Sequence, residues 1–129
     1  MKRQNVSTGT KWEAIAGYSR AVRSGTWVAV SGTTASDENS KVVGLGDPYA
    51  QAKYILAKIE RALTAADASL SDVIRTRIYV VRAEDWEAAA RAHGEVFGTI
   101  RPANTLVVVK ALVEPEMLVE IEADAIISR

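Results

Sequence analysis

Glu120, Glu122 and Asp124 alternate along an otherwise apolar stretch. In an extended segment, alternate positions put all three carboxylates on one face. Like charges at that spacing repel unless countered. Two readings are open. Cross-strand pairing with Arg75, Arg77 or Lys110 would neutralise the row. Alternatively, one carboxylate stays in a cleft and orients water as a general base, with a raised pKa if it is desolvated. Spacing alone favours ion pairing, the commoner use of such charges. His93 is a second candidate base. It falls in an apolar helical stripe beside Ala89, Ala90 and Phe97, which predicts a buried, hydrogen-bonded structural role. Arg101-Pro102-Ala103-Asn104-Thr105 is a third candidate. Pro102 biases Arg101 to an extended conformation, and a guanidinium or amide at a strand mouth suits an acidic ligand. Alone, the segment reads as a solvated loop. Ser31-Gly32-Thr33-Thr34 is either a backbone anion nest or a turn. No phosphate-binding loop, dinucleotide fingerprint, serine-hydrolase elbow or zinc motif occurs.

The inventory around these residues is spare. The chain has 129 residues, 16 Lys+Arg, 16 Asp+Glu, one His and no Cys. Length predicts a single domain spanning residues 1–129. Without Cys there are no disulfides, thiolate metal sites or cysteine nucleophiles. One His excludes multi-histidine metal centres and a two-histidine ribonuclease mechanism. Neither metal nor cofactor is expected. A net charge of zero gives no bulk electrostatic drive toward nucleic acid. No apolar run approaches the ~20 residues of a membrane span, and no signal-peptide pattern follows Met1-Lys2-Arg3. A cytoplasmic protein with a small-molecule ligand is the expectation.

The elements that must hold these residues follow from periodicity. Tyr18 to Arg23 and Thr26 to Ser31 read as strands around a Ser24-Gly25 turn. Asp37 to Gly46 reads as a loop. Asp47 caps a helix that Pro48 opens, with Ile55, Ile59, Ala62, Leu63 and Ala66 at helical spacing. Val73 to Val81 is a strand with Ile74, Ile78 and Val80 on one face and Arg75, Arg77 and Tyr79 on the other. Glu84 and Asp85 open a second helix, whose stripe is Trp86, Ala89, Ala90, His93 and Phe97 and which Gly98 stops. Thr105 to Leu112 is apolar on nearly both faces. Leu118 to Ile127 alternates. The order predicts an α+β fold, a mixed sheet with two helices packed on one face. The doubly apolar strand leaves a face to be covered by another subunit, so a homo-oligomer is expected.

Certain segments, taken together, have a known pattern. Ala16-Gly17-Tyr18-Ser19, Trp27-Val28-Ala29-Val30-Ser31-Gly32, Asp72-Val73-Ile74-Arg75-Thr76, Arg101-Pro102-Ala103-Asn104-Thr105 and Val119-Glu120-Ile121-Glu122-Ala123 occur in this order. They resemble the YjgF/RidA family of reactive-intermediate (enamine/imine) deaminases, which also carries the older label of L-PSP endoribonuclease. The resemblance covers nearly the whole chain. It implies a chorismate-mutase-like fold and a homotrimer with a central barrel and ligand clefts between subunits. Tyr18 matches a pocket-lining tyrosine. Ser31-Gly32 matches a Ser-Gly pair, with Thr33 where Gln commonly follows. Glu120 matches the glutamate that orients the hydrolytic water. Thr105 and Leu106 follow the Pro-Ala element, where backbone groups help hold ligand or water.

One departure stands out. Active deaminases of the family have Pro-Ala-Arg, and that Arg grips the substrate carboxylate; here the position is Asn104. A guanidinium is a permanently charged two-pronged donor, whereas an amide offers weaker neutral bonds. Losing such a partner costs on the order of 2–5 kcal/mol. Arg101 would point to the opposite face in a straight strand, and only a bend at Pro102 would bring it round. The resemblance therefore implies hydrolysis of an imine, enamine or related reactive metabolite, with selectivity shifted by Asn104 and a site more negative than the family norm. A non-catalytic metabolite-binding trimer is the alternative, and a ribonuclease ranks last.

Overall fold

The computed structural model describes residues 2–128. Strand β1 (Arg3–Val6) is followed by the short helix α1 (Lys11–Ala16), β2 (Ala21–Ser24), β3 (Trp27–Thr34) and helix α2 (Pro48–Ala65). Then come β4 (Val73–Val80), helix α3 (Trp86–Phe97), β5 (Ala103–Val108) and β6 (Val119–Ile126). The strands form one six-stranded sheet in the order β1-β2-β3-β6-β4-β5. Among the described residues only the β4–β5 pair is parallel, and α3 makes that crossover. The fold is α+β, with α2 and α3 packed together on one sheet face.

Local chemistry accounts for the main elements. The Asp47 carboxylate accepts from Ala50 N at 3.0 Å, and Pro48 occupies the first helical turn, where no N–H is needed. Ile55, Ile59 and Leu63 of α2 are fully buried against Val28, Ile78 and Ile121 of the sheet. In β6, Val119, Ile121, Ala123 and Ala125 enter this core, and Glu120, Glu122 and Asp124 turn to the other face. Alternation with period two thus delivers the carboxylate row.

Several expectations need correction. Strand β1 lies in a polar stretch, and α1, six residues long, is too short for its apolar residues to establish a helical period. The hairpin pairs Ser24 with Trp27, so Gly25, at φ 63°, and Thr26 make its turn. Strand β3 runs past Ser31 to Thr34. Strand β5 starts at Ala103 and stops at Val108, and the chain then loops to β6. A register irregularity between Val73 and Arg75 turns Ile74 outward, where it is 44% exposed, and Thr76 takes the buried place. Trp86 is exposed, and Ala92 joins Ala89 and Phe97 in the core. Arg101 is not extended: its φ is 56°, and its backbone N–H donates to Phe97 O at 2.8 Å, closing the end of α3. Among the described residues no helix is long and apolar enough to cross a membrane.

Candidate functional site

The carboxylate row divides. Arg77 on β4 reaches across to Glu122 at 3.1 Å and Asp124 at 3.5 Å. Tyr79 donates its hydroxyl proton to Glu122 at 2.5 Å, and that bond raises the tyrosine pKa. Glu120 has neither partner. It lies between Thr34 of β3 and Tyr79 of β4 in register, half-buried. Burial raises its pKa, the Glu122 charge adds to this, and Arg20 opposes it. Ion pairing and a free cleft carboxylate therefore both occur, on different members of the row.

The surface beneath Glu120 is built by a bulge. The β3–β6 register shifts between Val30 and Thr33, so Ser31 and Gly32 leave the regular ladder. A Cβ on Gly32 would lie 2.1 Å from Glu120 Oε2. Close approach, rather than backbone torsion, is why this position is Gly. Arg20, only 5% exposed, holds the bulge from behind. Its Nη1 donates to Gly32 O at 2.8 Å and Thr33 Oγ1 at 2.9 Å, and its Nη2 donates to the Tyr18 hydroxyl at 3.1 Å. Ser31 Oγ donates to Ser19 O at 2.6 Å.

Helix α1 forms the wall opposite. Thr10 and Glu13 make a reciprocal capping box, and Gly17 ends the helix in the left-handed region at φ 74°. Glu13 is buried, which raises its pKa. Hydrogen bonds from Thr8, Ser7 and Thr10 outweigh that and hold it lowered. Its Oε2 is 4.0 Å from Arg20 Nε. From α2, Lys58 donates to Thr34 O and Ser36 O, both at 2.8 Å. Burial, with the Arg20 and Arg61 charges, lowers Lys58 to about 8. Together these groups surround a cavity of about 440 Å³ that Trp12, Ile15, Val113 and Met117 line on the apolar side. That size is ordinary for a small-molecule site.

Tyr18, Ser31, Gly32 and Glu120 thus meet at one cavity. The remaining candidates do not join them within the protomer. Thr33 is fully buried beside Ile121, where it ties Arg20 to the bulge; Thr34 is in the cavity wall instead. Asn104 pairs in register with Thr76, on the helix side of the sheet, and its amide donates to Thr76 Oγ1 at 3.0 Å. Thr76 also meets His93 Nε2 at 2.8 Å. His93 stacks near Phe97 at 4.7 Å, and burial lowers its pKa, consistent with a neutral structural ring. Thr105 pairs with Arg77 and Leu106 with Ile78, with β4 between them and β6. Arg101 is exposed, its Nε donating to Gly98 O at 3.1 Å. Arg20 and Lys58, which sequence reasoning does not single out, bring two cations to the Glu120 cavity. Periodicity carried a faint signal for Lys58, which follows Ile55 by three residues on the apolar side of α2. Among the described residues no group of three or more His, Asp or Glu side chains is placed to hold a metal ion.

The fold and cavity define a class of small α+β proteins with an open sheet face and a carboxylate-bearing pocket. Residues 8–127 match the model of the family described as Endoribonuclease L-PSP, and the chain belongs to this YjgF/RidA family. A Streptomyces coelicolor protein, SCO2049, is 37% identical over 122 residues, covering 95% of this chain and 90% of its own. The 3-aminoacrylate deaminase RutC of Acinetobacter baylyi is 37% identical over 111 residues, covering 86% of this chain and 87% of its own. The crystal structure of Mycobacterium tuberculosis Rv2704, a member of the YjgF/YER057c/UK114 family, superposes with a TM-score of 0.89. It is 46% identical and covers 98% of this chain and 100% of that one.

Proposed function

We propose that the chain is a single-domain cytoplasmic hydrolase that cleaves the C=N bond of a small imine, or of an enamine after tautomerisation. The observation that carries this reading is Glu120 in the cavity wall, a carboxyl that burial raises and that takes no hydrogen bond from any other described residue. A raised pKa brings the group closer to the operating pH, where a general acid–base works best. The Glu120 carboxylate takes a proton from water as the oxygen bonds the imine carbon and the π pair moves to nitrogen. The carboxyl then returns that proton to nitrogen, giving a carbinolamine. Its hydroxyl next gives up its proton to the Glu120 carboxylate, which passes it to nitrogen as the oxygen pair forms C=O and the C–N bond breaks, so carbonyl and ammonia leave. Tyr18 accepts a hydrogen bond from Arg20, so its own proton is available to the ligand. Similarity to a protein named 3-aminoacrylate deaminase supports the reaction class. No metal or cofactor is needed for these steps.

The functional unit in this reading is a homotrimer, in which the Asn104–Leu106 segment of a neighbouring subunit completes each cleft. Trp27 and Val107, 49% and 41% exposed on the uncovered sheet face, support such an interface. Asn104 in place of an arginine shifts selectivity, because a carboxylate on the substrate must be held elsewhere. The test is ammonia release from imines generated in situ from several amino acids. Glu120→Gln keeps the shape and removes the base, and turnover should fall roughly 10²- to 10⁴-fold. Unchanged turnover would refute the assignment.

A further inference from the structure

We propose that Lys58 is the anion-recognising group of the cavity, and that the cavity takes a small monocarboxylate carrying an apolar substituent. This deepens the hydrolase reading and rests on it only for the identity of the bond that is cleaved. The cavity is chemically divided. Trp12, Ile15, Val113 and Met117 make one side apolar, with Ile15 77% and Val113 70% exposed at its lip. Lys58 and Arg20 make the other side cationic.

The two cations are differently committed. Arg20 is fixed by its bonds to Gly32, Thr33 and Tyr18, and its Nε is sealed from solvent with no hydrogen-bond partner. It contributes charge from behind the wall. An ammonium has three N–H donors. Two of those on Lys58 go to Thr34 O and Ser36 O; the third has only Ser36 Oγ, at 3.5 Å. Among the described residues no carboxylate lies within ion-pairing distance of Lys58. Its charged surroundings are Arg20 and Arg61, which oppose the ammonium, and Asp37 and Glu13, which favour it, with Glu120 in the same cavity wall. Desolvation is the largest influence on it and disfavours the charged form. A carboxylate entering the cavity would supply the missing countercharge. Asn104 supplies no such charge, since its neutral amide is tied to Thr76 on the other side of the sheet.

The test uses 4-methyl-2-oxopentanoate, a non-hydrolysable carboxylate probe, against its neutral counterpart 4-methyl-2-pentanone. Both are titrated calorimetrically into wild type, Lys58→Met and Lys58→Arg. Wild type should hold the acid more tightly than the ketone. Lys58→Met should weaken the acid roughly tenfold or more and leave the ketone unchanged. Lys58→Arg should keep the preference. In wild type, acid binding should weaken as pH rises through about 8, where the ammonium loses its proton, while ketone binding stays flat. A wild type with no preference for the acid overturns the assignment. So does a Lys58→Met protein that binds the acid like wild type, or one that loses acid and ketone together, which would mark Lys58 as structural. Binding is read without turnover. Retained acid binding with no ammonia release would therefore sink the hydrolase reading and leave this one standing.

Discussion

Glu120 carries a cost that its neighbours in the row do not. Its raised pKa means that the folded state disfavours the carboxylate. A group raised in the folded state contributes stability below its unfolded pKa, and loses it as pH rises through the folded pKa. Glu120→Gln should therefore raise the melting temperature at neutral pH, and the advantage should vanish in acid, below the ordinary glutamate range. A melting series against pH checks this, and a lower melting temperature at neutral pH would contradict it. Gly32 makes a complementary prediction. In Gly32→Ala the new methyl meets Glu120 Oε2 at 2.1 Å, so the carboxylate must move. The clash is with the flexible end of a side chain beside an open cavity, so stability should change by less than about 1 kcal/mol, and the acidic limb of the kcat/KM profile should shift with the displaced glutamate. At this scale the sequence was half legible. Its alternation put Glu120 on a polar face, but only Arg77 and Tyr79, brought across from β4, show which carboxylates are neutralised.

The elements differ in how they announce themselves. Helix α2 and strand β6 are plain in the sequence because each has one apolar face with a regular period. Helix α1 has six residues, too few to be stable alone. The Ser7, Thr8 and Thr10 bonds to Glu13 hold it in place, and no hydrophobic period reports them. Glu13→Ala should strip this wall. We expect loss of the capping box to cost about 1 kcal/mol, with a raised KM because Trp12 and Ile15 line the cavity. Unchanged KM in a folded Glu13→Ala protein would show that the wall does not depend on the box. On the far side, Thr76 joins Asn104 to His93. Thr76→Val leaves both without that partner and should cost about 1–3 kcal/mol, measured by chemical denaturation. Asn104 could not be placed by strand alternation alone, because its face is set by the parallel register with β4.

At the scale of the whole molecule, the sheet has one face covered by helices and one without cover in the protomer. The balance of 16 basic against 16 acidic residues resolves into local arrangements. Arg77 pairs with two carboxylates on the open face, while Arg20 and Lys58 converge on the cavity. An open face that is both apolar and internally charge-paired favours burial against another copy. Isolated charges would resist desolvation there, but paired ones resist it less. The prediction is a trimer at micromolar concentration in sedimentation velocity. Val107 pairs with Tyr79 on this face, and Val107→Asp would place an unpaired charge near the Tyr79–Glu122 contact. The variant should sediment as a monomer and lose ammonia-releasing activity while keeping its far-UV circular dichroism. A monomeric wild type would refute the assembly. A Val107→Asp monomer with full activity would show instead that the cavity of one protomer, with Glu120, Tyr18 and Lys58, suffices for catalysis.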